Sequence, residues 1–529
     1  MILRPIRSRS SARLLSVTLD AESTVPLHRQ VYDELRARIV AGQLSSGALL
    51  PSSRALAMTL RVSRNTVVMA YERLRAEGYV TSRPGGGTSV CTLPPEVMMR
   101  AAGPAKQAPA HRTRSGTSRR ATHIVRLHAL NGPSAPRAPR PFRIDAPAID
   151  AFPLEIWNRT LARVMRQIPP RHLSYGETFG LYELRALVAE FLTSARGVRC
   201  SVEQIMITCG SQQALTLAAG VLLDPGDAVW VEDPGYSGAR GAFAFAEAKV
   251  VPVPVDAEGL DVAAGERRAP GARVAFVTPS RQLPLGVRMS VERRAALLDW
   301  ARRAKAWVIE DDRDSEFRYS SRPVGSLQGM DTEGCVLYLG TFSRAMFPAL
   351  RLGYLVVPDA VRDAFAAARH FADLHQSYVE QAAMAAFIRD GHFERHVRHV
   401  RATYLERQHH LVAETRRYLD GRLAIDPADA GMELIGWLSG GEDDVAVAAS
   451  IREDGVEVTP LSPIPVGRPL PPGLILGYAG LSSTDITDGV QRVARAMERR
   501  ERVTGQRSRS RTENWTRVVP GAATRLTPR

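Results

Sequence analysis

The chain has 529 residues, of which 44% are hydrophobic and 24% are charged, and its formal net charge is +15. This length exceeds one ordinary domain, and this composition is typical of a globular protein rather than a disordered or fibrous one. No apolar run is long enough for a membrane-spanning helix or for the core of a secretory signal, so we expect a cytoplasmic protein without a membrane partner.

Composition and charge divide the chain into four predicted segments. We expect a small domain of helices and turns over 20–90, a flexible basic linker over 91–140, a globular body over 141–498 and a disordered basic tail over 499–529. Residues 1–140 carry 22 Lys and Arg against 7 Asp and Glu, whereas the body carries 39 against 46. A basic module on an acidic globule favours binding to a polyanion, although basic ends can also be merely solvated. The four cysteines have no metal-ligand spacing, so we predict no metal site.

The first predicted element is an amphipathic helix. Leu27, Val31, Leu35 and Ile39 recur every four residues, which predicts one apolar face, and Gly42 ends the pattern.

Two shorter helices follow. Either Ser52 or Ser53 can cap the first of them, and Ser63 can cap the second. Two short helices joined by a tight turn are typical of a helix-turn-helix, whose second helix enters the major groove of DNA with its N-terminal residues foremost.

The leading residues of that second helix are Ser63, Arg64, Asn65 and Thr66. Arginine can read guanine with two hydrogen bonds, asparagine can read adenine, and serine or threonine can bind phosphate. The string YVTSRPGGGTSV then predicts a strand, a glycine-rich tip and a second strand, which together form a wing. The alternative for any single arginine on a helix face is simple solvation.

In this order, the strings LPSSRALA, VSRNTVVMAYERLRAEGYV and RPGGGTSV resemble the winged helix of the GntR family. The resemblance implies that Arg54, Arg64, Thr66 and the wing residue Gly86 contact operator DNA. It also implies that Asn65 reads a base and that the chain acts as a homodimer.

The body alternates short apolar runs with amphipathic helices. The runs are IMITCG, AVWVEDP, VAFVTP, AWVIEDD, VLYLGTF and LGYLVVP. Strands that alternate with helices predict an α/β fold with a mostly parallel sheet covered on both faces. Ligands of such sheets bind at the carboxyl ends of the strands, so the polar residues after these runs are the candidates.

From about Phe142 onward the chain resembles a fold-type I aminotransferase, and joined to the winged helix it resembles the MocR subfamily of GntR regulators. The strings that carry the resemblance include CGSQQALTLAAGVLLDPGDAVWVEDPGYSGAR, EDDRDSEFRY and YLGTFSRAMFPALRLGYLVVP. The resemblance implies a pocket for pyridoxal phosphate.

Specific residues follow from this resemblance. Backbone N–H groups of Gly210, Ser211 and Gln212 would cradle the phosphate at a helix N-terminus, and Ser343 and Arg351 would complete that site. Tyr236 would stack on the ring, and Asp311 would pair with the ring nitrogen, with Asp312 as the alternative. Tyr175 would reach the partner subunit's phosphate. The residues that the resemblance assigns to the pocket are Gly210, Ser211, Gln212, Tyr236, Asp311, Ser343 and Arg351.

The sequence departs from the family at decisive positions. Arg344 stands where the family has the lysine that forms a Schiff base, and a guanidinium is not an amine nucleophile. Arg313 replaces a tyrosine of the family, and Arg281 replaces a histidine. The chain has only three lysines, Lys106, Lys249 and Lys305, and none follows a strand that faces the site.

We therefore expect a transcription regulator without a catalytic residue. Three new arginines predict a cationic pocket that holds an anionic effector non-covalently, either pyridoxal phosphate or another phosphate or carboxylate. Two alternatives stay open: an aminotransferase with an accessory DNA-binding head, and a DNA-binding dimer without an effector.

Overall fold

A computed structural model describes residues 19–20, 23–83, 87–91, 116–130, 140–319, 325–467 and 469–504. The chain divides into two compact units, residues 1–116 and residues 117–529. Each unit is described by itself below.

The N-terminal unit consists of three helices and a hairpin over its described residues. The helices are α1 (Leu27–Val40), α2 (Ser53–Leu60) and α3 (Arg64–Ala76), and the hairpin strands are β1 (Val80–Arg83) and β2 (Gly87–Val90). The strands pair in antiparallel register from Val80 opposite Val90 to Arg83 opposite Gly87. This is the predicted winged helix-turn-helix.

Side-chain caps and one small core fix this arrangement. Ser52 caps α2 by accepting from the Ala55 N–H (3.2 Å), and Ser63 caps α3 by accepting from the Thr66 N–H (3.1 Å). The choice between Ser52 and Ser53 is thereby resolved. The core beneath the helices includes Val31, Leu35, Ile39, Leu56, Ala57, Val67, Ala70 and Leu74. Leu27, the first member of the predicted apolar face, is 38% exposed.

The second unit is built around an eight-stranded sheet of described residues. Its strands are β3 (Ile205–Thr208), β4 (Ala228–Asp233), β5 (Lys249–Asp256), β6 (Gly259–Leu260), β7 (Val274–Val277), β8 (Trp307–Asp311), β9 (Val336–Thr341) and β10 (Gly353–Val356). They lie in the order β3-β10-β9-β8-β7-β4-β5-β6. The strands β9, β8, β7, β4 and β5 are parallel, whereas β10 runs antiparallel to both of its neighbours. All six predicted strands are present in this sheet.

Helices cover both faces of the sheet. The described helices of this unit are α4 (Arg119–Leu130), α5 (Leu154–Arg166), α6 (Tyr182–Arg196), α7 (Ser211–Leu222), α8 (Ser237–Phe245), α9 (Val262–Arg268), α10 (Val291–Ala304), α11 (Arg362–Asp373), α12 (Tyr378–Arg389), α13 (His392–Tyr418), α14 (Asp444–Glu453) and α15 (Ser483–Thr504). On one face Trp300 of α10 stacks on Trp230 of β4, with ring centroids 3.7 Å apart. On the other face Leu215 of α7 packs with Leu355 of β10 in a separate core cluster.

A smaller antiparallel sheet lies toward the C-terminus. Its described strands are β11 (Leu423–Ile425), β12 (Glu433–Leu438), β13 (Thr459–Pro460) and β14 (Gly473–Gly477), in the order β11-β12-β14-β13. Its core is continuous with that of the first strands of the large sheet, because Leu434 and Leu476 belong to the same buried cluster as Ile205 and Tyr354. The small sheet and the large sheet therefore share one hydrophobic core.

The segment predicted as a structureless linker differs from that prediction in one part. Helix α4 lies within residues 91–140, and Arg120 sits over the ring of Phe245 in α8 (5.1 Å to the centroid) and pairs with Glu247 (3.3 Å). Ala121, Ile124 and Leu127, spaced every three residues, are half-buried. The amphipathic spacing within ATHIVRLHAL was hidden by the Pro- and Arg-rich composition on either side.

Within the described ranges, no helix is long and apolar enough to cross a membrane. The same residues include no cluster of three or more His, Cys, Asp or Glu arranged to hold a metal ion.

Candidate functional site

The start of α3 presents polar side chains to solvent. Arg64 and Asn65 are exposed in the first turn of this helix, and Arg54 is exposed on α2. The Nε of Arg64 donates to Ser53 Oγ at 3.4 Å, whereas Arg54 and Asn65 have no side-chain partner among the described residues. Unpaired donors in this position are available to DNA.

Ser63 and Thr66, which are predicted to contact DNA, also form hydrogen bonds with each other. The Oγ of Ser63 accepts from the backbone of Thr66 and also lies 2.8 Å from Thr66 Oγ1. These hydroxyls therefore hold the first turn of α3 in place. The wing residue Gly86 lies outside the described residues.

A cradle for an anion lies where β3 meets α7. Gly210 precedes the helix with a φ of 85°, and Ser211 is its first residue. The guanidinium of Arg351 donates to the Cys209 carbonyl (2.6 Å), and a Cβ atom added at Gly210 would lie 3.4 Å from this guanidinium. Backbone N–H groups at a helix N-terminus and an adjacent guanidinium are the partners that a phosphate uses.

Ser343, which follows β9, has an unpaired hydroxyl. Its Oγ is buried, and it has no hydrogen-bond partner among the described residues. Buried hydroxyls nearly always have a partner, because an unpaired one costs free energy. An orphaned hydroxyl at a strand end is a donor and acceptor that a ligand can satisfy.

Tyr236 and Gln212 lie next to each other beside this cradle. Tyr236 precedes α8, and its hydroxyl lies 3.4 Å from Gln212 Oε1, while the Gln212 amide donates to the Gly238 carbonyl (3.1 Å). Burial raises the pKa of Tyr236 to about 12, and the charge of Asp311 adds to the effect. The ring therefore remains a neutral phenol close to Asp311.

Asp311 is a carboxylate without a partner. It ends β8 beside Leu339 of β9, and its side chain makes no hydrogen bond or ion pair with another described residue. Burial raises the pKa of Asp311 to about 7, against the pull of nearby Arg313. A half-buried carboxylate of this kind is stabilised by an incoming cationic N–H group.

Asp312 is fully engaged. It receives two hydrogen bonds from Arg196 (2.7 and 2.9 Å), one from Ser280 (2.6 Å), one from Ser315 (2.6 Å) and one from Tyr338. Burial alone would raise its pKa, but the guanidinium of Arg196 outweighs burial and lowers it. Of the two neighbouring aspartates that the sequence left open, Asp311 is the one available to a ligand.

The three arginines singled out in the sequence meet at one place. Arg344 donates to Asp314 (2.5 and 2.9 Å), to Glu433 (3.2 Å) and to Asp145. The other two arginines join the same acids. The arginine–carboxylate network comprises Arg281, Arg313, Arg344, Asp145, Asp314 and Glu433.

The remaining bonds of the arginine–carboxylate network link distant parts of the chain. Arg281, after β7, donates to the Oε1 and the backbone carbonyl of Glu433 on β12 (both 2.8 Å). Arg313 donates to the same Oε1 (3.2 Å) and to Asp145 Oδ1 (3.0 Å). The network therefore connects the strand ends of the large sheet with the small sheet and with the segment that precedes α5.

The expectation of a cationic pocket is wrong for these three arginines. Three guanidinium charges face three carboxylate charges, so the arginine–carboxylate network is neutral. Burial would raise the pKa of Glu433, but Arg344 and Arg313 outweigh burial and hold this pKa well below its usual range. The pKa of Arg344 is instead raised. Burial would lower it, but the charges of Asp314, Glu433 and Asp145 more than offset burial.

The sequence did not identify Asp145 and Glu433. Neither lies in a motif, and they stand far from Arg313 and Arg344 along the chain. The available signal was physical: three buried guanidiniums require about three acids. That signal gives the number of partners and not their positions.

The two described lysines lie at the N-terminal ends of the parallel strands, away from the candidate pocket. Lys249 begins β5, opposite Ala228 at the start of β4, and Lys305 ends α10 just before β8. Asp311, Ser343 and Arg344 instead follow or end parallel strands. Lys106 lies outside the described residues. Among the described residues, therefore, no amine reaches the candidate pocket.

Tyr175 is 82% exposed and contacts the ring of His375 edge-on, with centroids 6.2 Å apart. Its contact with the partner subunit's phosphate stays a prediction.

Comparisons with known families match both units. Residues 27–90 match the family described as bacterial regulatory proteins, gntR family, and residues 152–493 match aminotransferase class I and II. The probable rhizopine catabolism regulatory protein MocR of Rhizobium meliloti is 40% identical over 90% of this chain and 94% of its own length. The pyridoxine biosynthesis transcriptional regulator PdxR of Corynebacterium glutamicum is 29% identical over 88% of this chain and 94% of its own length.

Solved structures resemble the body. Kynurenine aminotransferase of Pyrococcus horikoshii is 27% identical with a TM-score of 0.63, and it covers 73% of this chain and 96% of its own. The α-aminoadipate aminotransferase LysN of Thermus thermophilus, solved with N-(5'-phosphopyridoxyl)-L-leucine, is 28% identical with the same TM-score and coverage.

Proposed function

The chain belongs to the MocR-like regulators, which combine the gntR and the aminotransferase class I and II families, and we propose that its body senses an anionic metabolite and performs no transamination. It is a DNA-binding transcription regulator with an aminotransferase-like body. The observation that carries the proposal is Arg344, whose guanidinium is held by three acids where the resemblance calls for an amine.

The N-terminal unit supplies operator recognition in this proposal. Arg64 and Asn65 read bases from the start of α3, and Arg54 contacts phosphate from α2. Ser63 and Thr66 hold the first turn, and Gly86 lets the wing backbone approach a phosphate. Since operator DNA lies in the cytoplasm of a bacterium, we place the protein there.

Pyridoxal phosphate fits part of the pocket. The N-terminus of α7 at Gly210 and Ser211, the orphaned Oγ of Ser343 and the guanidinium of Arg351 provide a phosphate site. Tyr236, positioned by Gln212, would cover the ring, and Asp311 would pair with a protonated ring nitrogen. When bound in an aminotransferase, this cofactor acts as an electron sink.

The covalent anchor does not fit. A guanidinium is a delocalised cation, and the acids around Arg344 raise its pKa further, so it has no lone pair to attack an aldehyde. The pocket would therefore hold the cofactor through its phosphate and ring nitrogen alone. An amino acid would bring its own amine to the aldehyde, but the pocket offers no lysine amine to assist that exchange or to move a proton, so we expect no transaminase turnover.

We further propose that the body dimerises. Apolar side chains stand exposed in one stretch of the body, at Ile149 (64%), Leu154 (58%), Leu173 (76%) and Tyr175 (82%). Exposed apolar side chains that lie together on a surface mark protein interfaces, and in this proposal these four are covered by the partner subunit. A homodimer would present two DNA-binding units to two half-sites.

The first test is a titration of the full chain with pyridoxal phosphate, followed by borohydride and peptide mass spectrometry. We expect saturable binding without a fixed adduct on any pocket peptide. The Arg344→Lys variant is the positive control, since an amine at this position should yield a borohydride-fixed adduct there. Arg351→Ala should weaken binding by at least tenfold, because the phosphate loses its guanidinium.

Two outcomes contradict the proposal. A borohydride-fixed adduct in the wild-type pocket, with turnover of an amino acid, would make the chain an aminotransferase with an accessory DNA-binding head. No binding at all, with intact binding to DNA, would leave a dimer without this effector.

A further inference from the structure

Asp145 differs from the other two acids of the arginine–carboxylate network. The side chains of Asp314 and Glu433 are 0% and 1% exposed, whereas that of Asp145 is 52% exposed. Both of its ion pairs use one oxygen, since Oδ1 accepts from Arg313 (3.0 Å) and from Arg344. A carboxylate that is bound through one oxygen at an exposed edge is the replaceable member of this network.

Two further features indicate an imperfect fit. Asp145 adopts a φ of 63°, in the left-handed region that costs free energy for a residue with a Cβ atom. The Nε of Arg313 is buried and lies 3.8 Å from Asp314 Oδ2, too far for a hydrogen bond, and it makes no hydrogen bond with another described residue. A guanidinium can bind a carboxylate with two parallel hydrogen bonds, and Asp145 does not provide the second one to Arg313.

We infer that Arg313 and Arg344 form a binding site for the carboxylate of a small molecule, and that Asp145 fills this site as an internal stand-in when the ligand is absent. A free carboxylate can approach without the backbone constraint of Asp145 and can use both of its oxygens. The inference names the chemical class of the effector, and in that respect it rests on the proposed sensing function.

Exchange of Asp145 for a ligand changes a defined segment. Phe142 is fixed to the small sheet, because its carbonyl accepts from the Gly477 N–H (2.9 Å), and Ala148 is buried with its N–H donating to the Tyr404 hydroxyl (3.1 Å). Asp145 lies between these two anchors. When its ion pairs are replaced, the residues on either side of it are released from the network. This segment follows the predicted linker to the DNA-binding unit, which gives the ligand a route to regulation.

The first experiment uses acetate, which reproduces the side chain of aspartate. In Asp145→Gly the carboxylate is removed and the left-handed backbone is allowed without strain. We expect a melting temperature about 3 °C lower than that of the wild type, and sodium acetate should restore it saturably where sodium chloride of equal ionic strength does not. Wild type should need about tenfold more acetate, because Asp145 competes for the site.

Two variants control this experiment. Asp145→Gly/Arg344→Gln should lose the acetate response, since half of the site is gone. Asp150→Ala removes another half-exposed aspartate, which pairs with Arg407, and acetate should not rescue it. An equal acetate response in wild type and Asp145→Gly, or a response that survives in the double variant, overturns the inference.

The second experiment needs no variant. Hydrogen exchange of the wild type in saturating succinate should be faster at the amides of residues 143–146, and neutral succinamide should leave their rate unchanged. An unchanged rate with succinate overturns the inference, as does the absence of saturable succinate binding. A carboxylate response without binding of pyridoxal phosphate would keep this site and reject the proposed cofactor, and the reverse result would keep the cofactor and reject this site.

Discussion

The same dipeptide occurs at both candidate sites with opposite environments. Ser63 and Arg64 start the exposed helix α3, and Ser343 and Arg344 follow the buried strand β9. In the first pair the serine hydroxyl is bonded and the arginine is exposed, whereas in the second pair the hydroxyl is orphaned and the arginine is held by three acids. Burial and partners, and not the local sequence, decide which of the two groups lacks a partner among the described residues.

The physical reason is the cost of removing a charge from water. An exposed guanidinium such as that of Arg64 keeps its hydration and can exchange it for a phosphate or a base edge. A buried guanidinium such as that of Arg344 must find acids within the protein, because an unpaired buried charge costs several kcal/mol. Arg64 of the N-terminal unit therefore remains unpaired by acids among the described residues, whereas Arg344 of the body is already paired with acids of the chain, which a ligand must replace.

The largest expected effect comes from Glu433→Ala. Glu433 is 1% exposed and bonds Arg281, Arg313 and Arg344, so its loss leaves three guanidiniums with two acids. We expect the body to lose about 3–5 kcal/mol of unfolding free energy, measured by urea denaturation. The control is Asp299→Ala, which breaks exposed pairs with Arg302 and Arg303 and should leave the unfolding free energy close to that of the wild type. Equal losses of unfolding free energy in both variants would contradict the difference between buried and exposed ion pairs.

Arg64→Ala tests the other side of the comparison. The operator contact should lose about 1–3 kcal/mol, that is, roughly ten- to a hundredfold in affinity for a duplex selected by the wild type from a random pool. The melting temperature should stay unchanged, because Arg64 has only one long hydrogen bond, to Ser53. Arg75→Ala, on the last turn of α3, is the matched control. A fall in stability without a fall in affinity would contradict the assignment.

The Asp311→Asn variant tests whether the Asp311 carboxylate lacks a stabilising partner in the fold. Its pKa is raised from 3.8 to about 7 mainly by burial, so the charged form destabilises the fold. That penalty is absent below about pH 4 and complete above about pH 7. At pH 8 the variant should therefore be more stable than the wild type by about 2 kcal/mol, and the gain should vanish at pH 4. Stability curves that stay parallel over this range would argue against a raised pKa.

The sequence predicted the architecture better than the contacts. Apolar runs before turn residues located β3, β4, β7, β8, β9 and β10, because strand formation follows from a local pattern. The antiparallel direction of β10 and the small sheet were not predicted, since strand direction depends on connections made elsewhere in the fold. Helix α4 was missed because its twelve residues lie within a proline-rich segment.

The candidate site shows the same limit. The sequence singled out Arg281, Arg313 and Arg344 because they replace other residues of the family. The structure brings these three residues together. Their acids come from a segment before α5, from the turn after β8 and from β12, and no local pattern links these positions. Tertiary contact alone determines that the three charges are neutralised, which is why the predicted cationic pocket was wrong.

The smallest expected effects come from the two serines of the comparison. Ser63→Ala removes a helix cap and should cost the N-terminal unit about 1 kcal/mol of unfolding free energy. Ser343→Ala removes a hydroxyl that bonds to nothing described, so the stability of the body should change by less than about 0.5 kcal/mol, while its affinity for pyridoxal phosphate falls by about 1 kcal/mol. Calorimetric unfolding and a binding titration measure both quantities on the same samples. If Ser343→Ala instead costs as much stability as Ser63→Ala, the Ser343 hydroxyl serves the fold and is not reserved for a phosphate.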